Sequence, residues 1–274
     1  MSLLKAIITI GFLVMVLKGN GQCNYINNTF QANELVTYEV YYNWGFIWLN
    51  AGSVSFKTEA LKYKSEDALR LSSVGSTYQN YDWLYKVRDK FESIIYPTSI
   101  KPLYFLKETK EGGYDVNNEY TFIYPGVEII SKTKNNKSPL KIDTLKSNKC
   151  VFDVLSIIYA CRTIHFSHKK INDTIPLNTI IDAEIYELYI RYLGKEKIIN
   201  HDKRMFNCNV FSVKMVEGTI FKGDKEMKVW VSDDKNQIPV YVEAHILVGT
   251  IKAFVNEIKG TKWPANYHIF APND

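Results

Sequence analysis

Apolar and polar positions alternate cleanly from Glu34 to Tyr42. Val36, Tyr38, Val40 and Tyr42 fall on one parity, and Leu35, Thr37, Glu39 and Tyr41 on the other. A period of two sends successive side chains to opposite faces, so this segment predicts a β-strand. Asn43-Trp44-Gly45 interrupts it, and Phe46 to Thr58 predicts a second strand with Ala51-Gly52 as a bend, the two forming a hairpin. Further strands are predicted at Ala68 to Thr77, Tyr85 to Tyr96, Leu103 to Thr109, Glu119 to Tyr124 and Val127 to Thr133. Pro97 ends one because it has no N–H for a ladder, Gln79-Asn80 bends the chain, and Glu111-Gly112-Gly113 turns it. Residues 134–147 are polar and read as a loop. In the second half the strand-like runs are Ile180 to Tyr192, Glu196 to Asn200, Cys208 to Val216, Met227 to Ser232, Ile238 to Ile246 and Thr250 to Ile258. Gly194 and Gly249 serve as turns, and Asp233-Asp234-Lys235-Asn236 has a tight-turn composition.

One stretch departs from period two. Between Asn148 and Phe166, Val151, Val154, Leu155, Ile158 and Tyr159 recur at helical spacing. Asn148 is placed to cap a helix there, with Asp153 near its positive end and Arg162 near its negative end. About a dozen short strands in up-and-down order around one helix predict a mainly β fold. The expected form is one or more strongly curved antiparallel sheets making a barrel, half-barrel or sandwich, with the helix at 148–166 packed against it as a plug. A single domain over 23–274 is the main expectation, and two stacked halves at about 30–133 and 175–258 are the alternative.

Composition supports a folded chain, with 46% hydrophobic and 14% aromatic residues among 274. Lys5, the uncharged run from Ala6 to Leu17 and the small residues Gly19-Asn20-Gly21 have the layout of a secretory signal peptide. That run is shorter than the ~20 residues a membrane-spanning helix needs. Residues 1–22 are therefore expected to be a leader, and the chain to be exported to the periplasm or cell envelope. Asn20, Gly21 and Gln22 fit poorly before a lipid-bearing cysteine, so no anchor is expected at Cys23. Removing Lys5 and Lys18 lowers the formal charge from +5 to +3. The densest basic run, Lys132 to Lys146, is diluted by Asn, Ser and Thr, and nucleic acid is not an expected partner. On the expected helix Cys150 and Cys161 would lie ~16 Å apart, beyond the reach of a disulfide. Buried thiols are the expectation, and a Cys150–Cys208 bridge is the alternative.

The stretch from Tyr81 to Asp89 is the strongest binding candidate. Tyr81, Trp83 and Tyr85 supply rings that stack on sugar faces or pack lipid chains, while Asp82, Arg88 and Asp89 supply orienting charges. Asp82, Lys86 and Arg88 share one parity and Asp89 the other, so a charge faces inward and needs a partner, for which Glu108, Glu111 and Lys195 qualify. Trp44 adds a ring from the first hairpin. The competing reading is an ion-pair network that locks strand register. Glycoside hydrolysis would need two carboxylates ~5–9.5 Å apart; Asp89 with Glu111 is one such pair, at a separation set only by the fold. Ser232 to Asn236 resembles the start of a calcium loop but lacks its glycine and terminal glutamate. His165 and His168 sit three apart with no third ligand nearby in the sequence. Neither a metal nor a cofactor is expected. With no serine elbow, HExxH, phosphate loop or CxxC in the chain, catalysis is not expected either.

Several motifs carry a resemblance in register. They are residues 34–47 with Ala51-Gly52, residues 81–89, Glu111-Gly112-Gly113-Tyr114, Asp153 to Ser156, Leu193 to Glu196, Glu217 to Phe221 and Trp230 to Pro239. In this order they resemble a bacterial envelope family known as domain of unknown function 3108, common among Bacteroidetes, over about residues 30–258. The resemblance implies an exported, single-domain, mostly β protein with no assigned activity, and it supplies no catalytic residues. Nineteen tyrosines, fourteen phenylalanines and five tryptophans would either fill such a barrel or line a hollow. The expected function is a binding or carrier module for an apolar or amphipathic envelope molecule, a lipid or a glycan. A structural or assembly protein of the envelope with a solid core is the alternative. A glycan-acting hydrolase using Asp82, Asp89, Glu108 or Glu111 is the third.

Overall fold

The computed structural model describes residues 23, 25–44, 46–214, 216, 226–246 and 249–270; the expected leader and the Glu217 to Phe221 motif lie outside them. The first half of the chain forms β1 (Leu35–Trp44), β2 (Ile47–Tyr63), β3 (Glu66–Thr77), β4 (Val87–Ile95), β5 (Pro102–Glu111), β6 (Tyr114–Ile123), β7 (Val127–Asn135) and β8 (Ser138–Ser147). Then come β9 (Phe152–Asp153), the helix α1 (Ser156–Cys161), β10 (Thr174–Ile181), β11 (Glu184–Ile199), β12 (Arg204–Val213), β13 (Met227–Ser232), β14 (Pro239–His245), β15 (Thr250–Lys259) and β16 (His268–Ile269).

All these strands join one sheet in the order β8-β7-β6-β5-β4-β3-β2-β1-β15-β14-β13-β12-β11-β10-β9, with β16 added beside β12. The halves meet where β1 pairs antiparallel with β15, from Leu35 opposite Lys259 to Tyr42 opposite Ile251. The ladder does not close, so β8 and β9 are edges, but side chains bridge the gap. Lys149 Nζ lies 2.5 Å from Glu187, and Asn178 Nδ2 donates to the Cys150 carbonyl at 3.0 Å. The tip of the β10–β11 hairpin crosses to the other half, where Asp182 Oδ1 accepts from Asn118 at 2.8 Å and from Lys107 at 3.0 Å. The mainly β, strongly curved antiparallel fold with one helix packed against it is what the periodicity led us to expect, in its open, barrel-like form.

The helix is much shorter than the stripe implied. Phe152 and Asp153 pair in parallel with Thr179 and Ile180, and only Ser156–Cys161 is helical. Leu155 is its N-cap position, and Asp153 rather than Asn148 binds the N–H groups at its start. Asp153 Oδ1 accepts the N–H groups of Leu155 and Ser156 at 2.9 and 2.8 Å, while Oδ2 accepts the hydroxyls of Ser156 and Ser93 at 2.7 Å each. An aspartate that satisfies the orphan N–H groups of a first turn starts the helix after itself, so the upstream residues remain extended. Burial pushes the Asp153 carboxyl above its ordinary range against these donors. The segment still works as a plug: Val151, Phe152, Leu155, Tyr159 and Ala160 are buried against Leu71, Ile95, Phe105, Tyr120 and Ile129 of the sheet, although Ile158 of the expected stripe is exposed.

Three local expectations change. Residues 134–147 are not a loop but the end of β7 and the edge strand β8, which pairs on one side only and tolerates polar residues on its wet side. Ile180 to Tyr192 is not one strand. Asp182 and Ala183, both at positive φ (46° and 66°), turn it into a hairpin without the glycine that marks such turns. Gly194 (φ 107°) is a bulge inside β11 rather than a turn, with the register against β12 shifting beside it.

The cysteine expectation is also corrected. Cys23 and Cys150, 127 residues apart in sequence, form a disulfide, so neither is a free thiol and Cys150 does not pair with Cys208. No spacing argument reaches across such a separation. Cys161 and Cys208 are free, and burial pushes both thiols up to about 12.

Candidate functional site

Strand alternation carries the connections β1–β2, β3–β4, β5–β6 and β7–β8 to one end of the sheet, here termed the upper rim. At its centre lies the β3–β4 connection, residues 78–86. Thr77 and Arg88 hold its two ends together. Asp82 takes a two-pronged bond from Arg88, at 3.1 Å to Oδ1 and 2.6 Å to Oδ2, and its Oδ1 also accepts the Thr77 hydroxyl at 2.7 Å. Arg88 donates further to the Thr77 carbonyl at 3.1 Å, and the Thr77 hydroxyl accepts the Val87 N–H at 3.1 Å. The Thr77 bond, followed by Arg88, holds the Asp82 carboxyl below its usual range. Asp82 and Arg88 therefore lock the loop, and the rings between them are thrown outward. Trp83 is 76% exposed, Leu84 and Tyr85 are also exposed, and Tyr81 is partly buried.

Neighbouring connections extend this apolar surface. The Tyr78 N–H donates to the Ala51 carbonyl at 2.9 Å, placing the loop beside β2, whose first residues Ile47 and Trp48, with Phe46 before them, are exposed. On the other side the Tyr85 ring lies on Gly112, where a Cβ would come within 2.4 Å of it, and where φ is +54°. Glycine is required there on both counts. Asn136 Nδ2 ties the β7–β8 turn to the Gly113 carbonyl at 2.7 Å, and Lys137 Nζ sits 5.2 Å above the exposed Tyr114 ring. Trp48 carries Lys252 Nζ at 4.4 Å. Trp44 ends β1 at the same rim; its side chain lies outside the described residues.

Just inside the rim, Asp89 and Glu111 come together. Asp89 faces Thr109 and Val87 faces Glu111 across β4 and β5, so the two carboxylates are diagonal neighbours on one face. It is the inner face, which also carries Phe91, Phe105 and Tyr120. Asp89 Oδ1 is buried without a hydrogen-bond partner. Burial first, then the negative charge of Glu111, push the Asp89 carboxyl up to about 7. Of the other partners considered for an inward charge, Glu108 lies on the opposite face with Lys90 at 3.4 Å, and Lys195 is distant, 2.5 Å from Asp233.

Two grooves stand out. One of ≈ 1170 Å³ runs below the rim across β3–β7, lined by Val74, Arg88, Lys90, Glu108, Lys110 and Lys134 among others. The second, ≈ 540 Å³, gathers His165, Lys195, Asp233, Asp234 and Trp263 from distant parts of the chain. Its 233–236 turn is held by Asp234 Oδ1, which accepts the Ser232 hydroxyl at 3.0 Å and the N–H groups of Asn236 and Gln237 at 2.9 and 3.1 Å. This is a side-chain-braced hairpin turn rather than an ion cage. Among the described residues no three His, Cys, Asp or Glu side chains converge as metal ligands.

Residues 37–256 match the family described as Protein of unknown function (DUF3108). The chain belongs to that family. The matched span of the DUF3108 chain runs from β1 almost to the end of β15 and includes the rim, the carboxylate pair and the plug. A solved structure described as a beta-barrel-like protein of domain of unknown function DUF1849 from Brucella abortus superposes with a TM-score of 0.54 at 10% identity. The match covers 84% of this chain and 98% of that one, a likeness of fold alone. No curated protein matches the DUF3108 chain.

Proposed function

We propose that this DUF3108 protein is an exported binding module that takes an amphipathic envelope molecule at its aromatic rim. The carrying observation is the set of exposed rings on hairpins at one end of the sheet, Phe46, Trp48, Trp83, Tyr85 and Tyr114, together with exposed Ile47 and Leu84. Soluble proteins scatter single apolar side chains over their surface, whereas large exposed rings gathered at one end of the fold point to a binding surface. Export is supported by the leader-like start and by the Cys23–Cys150 bridge, which persists in oxidising compartments.

One observation favours the second reading, a structural or assembly protein of the envelope. Interior rings pack on each other beside the plug, Phe105 on Tyr120 at 5.3 Å and Phe30 on Tyr159 at 4.8 Å. The module therefore works at its edge, and a glycan or lipid partner would be met there rather than swallowed.

The test is a titration with monomeric lysophospholipid below its micelle threshold, read by intrinsic tryptophan fluorescence. Saturable blue-shifted emission is expected, weakened roughly tenfold by Trp83→Ala with Tyr85→Ala. An unchanged spectrum across the titration would count decisively against the module.

A further inference from the structure

From the arrangement of the rim we infer that it seats on the surface of an anionic lipid bilayer, its ring-bearing tips entering the headgroup layer end-on. The inference rests on the same rim as the amphiphile reading and names a different occupant, an assembled membrane surface.

Three features point to a bilayer. The first is placement. Phe46, Trp83 and Tyr85 stand in hairpin connections at one end of the sheet, with Trp48 and Tyr114 on the strand ends beside them, and the fold ties these hairpins together through Tyr78 to Ala51 of β2, Tyr85 on Gly112, and Asn136 to Gly113. A set of tips held side by side can enter an interface together.

The second is chemistry. Trp83, Tyr85, Trp48 and Tyr114 are amphipathic rings of the kind that settle at the headgroup level, and Phe46, Ile47 and Leu84 can pass below it. Phe46 is 105% exposed, with no protein surface over it.

The third is charge. Among the described residues of the β1–β2, β3–β4, β5–β6 and β7–β8 connections, Lys86 and Lys137 stand against Asp82, and Asp82 is already paired with Arg88. Lys137 lies over Tyr114; Lys252, from the adjoining β15, lies over Trp48 and is also paired with Glu243 at 3.5 Å. A lysine beside an interfacial ring can keep its ammonium among lipid phosphates while its stem follows the ring inward. Asp89 and Glu111 are turned to the inner face, while Asp115 beside Tyr114 is exposed and Glu243 is paired with Lys252 at 3.5 Å.

The deciding experiment is co-sedimentation of the disulfide-bonded protein with phosphatidylcholine vesicles, with and without phosphatidylglycerol. Binding is expected on the anionic vesicles, weaker on the neutral ones, and falling with added salt. Trp83→Ala with Tyr85→Ala should lower vesicle affinity roughly tenfold, and Lys86→Glu with Lys137→Glu should remove the preference for anionic lipid. These side chains are exposed, so the variants keep their fold, and circular dichroism checks it. No sedimentation with either vesicle overturns the inference, as does binding that none of the substitutions weakens, which would place the contact elsewhere. Binding of monomeric lysophospholipid without binding of vesicles refutes the bilayer seat and leaves the module standing; vesicle binding without the monomer does the reverse.

Discussion

At the residue scale, Asp89 shows how much a side chain owes to its surroundings. Alternation alone separates it from Asp82 and Arg88, but nothing local says that the residue across the next strand is another carboxylate. Its folded value, about 7, lies above the ordinary 3.8 because burial and Glu111 disfavour its charge. Between those values the folded protein holds a proton that the unfolded chain has released. The contribution of Asp89 is therefore fully present below pH ~4 and is lost as pH rises through about 7. Asp89→Asn is expected to flatten the stability profile over that window and to stabilise the protein at pH 8 by about 1–2 kcal/mol, the solvent-screened part of the shift. Urea denaturation of both forms at pH 5 and pH 8 checks it, and equal slopes with pH would refute the assignment. Asp82 is the contrast: it carries its partners, Thr77 and Arg88, within eleven residues of chain, and a register lock was one of its two sequence readings.

At the scale of elements, long alternating runs were legible and short conformational switches were not. β1, β3 and β4 follow period two and lie where the pattern put them to within a few residues. The helix was misjudged because apolar residues at helical spacing also suit a bent, fully buried segment. Asp153, with its two serine partners, decided which part coils. The end of α1 is fixed by a contact no local pattern announces. Arg162, just past the helix, makes bonds of 2.5 and 2.9 Å to Glu34 at the foot of β1 and donates to the Asn236 carbonyl at 3.1 and 3.0 Å, with both charged groups buried. Removing one partner strands the other charge in the core. Arg162→Met alone is expected to lose about 3–5 kcal/mol, and adding Glu34→Leu should recover most of it. Chemical denaturation of the single and double variants reads this directly; a double variant no better than the single would mean that the pair does not act as a unit.

At the scale of the whole molecule, the sheet path and one covalent bond organise everything else. The Cys23–Cys150 bridge ties the entry of the chain to the start of the plug and closes a loop spanning 127 residues. A crosslink of that span removes much of the freedom of the unfolded chain, and Cys23→Ser with Cys150→Ser is expected to cost about 3–5 kcal/mol. Guanidinium unfolding with and without reductant measures it, and coincident midpoints would show that the bridge adds nothing. What the amino-acid order determined by itself was the strand-rich class, most turns, the parity of each charge near the rim and the apolar character of the plug. These depend on residues a few positions apart, where backbone geometry and side-chain period act directly. The tertiary structure alone decided that β1 lies beside β15, that Cys23 reaches Cys150, that Glu34 meets Arg162, and that rings from separate hairpins gather on one rim. Each of those joins residues that the local pattern treats independently, and only the curvature and pairing of the complete sheet bring them within contact distance.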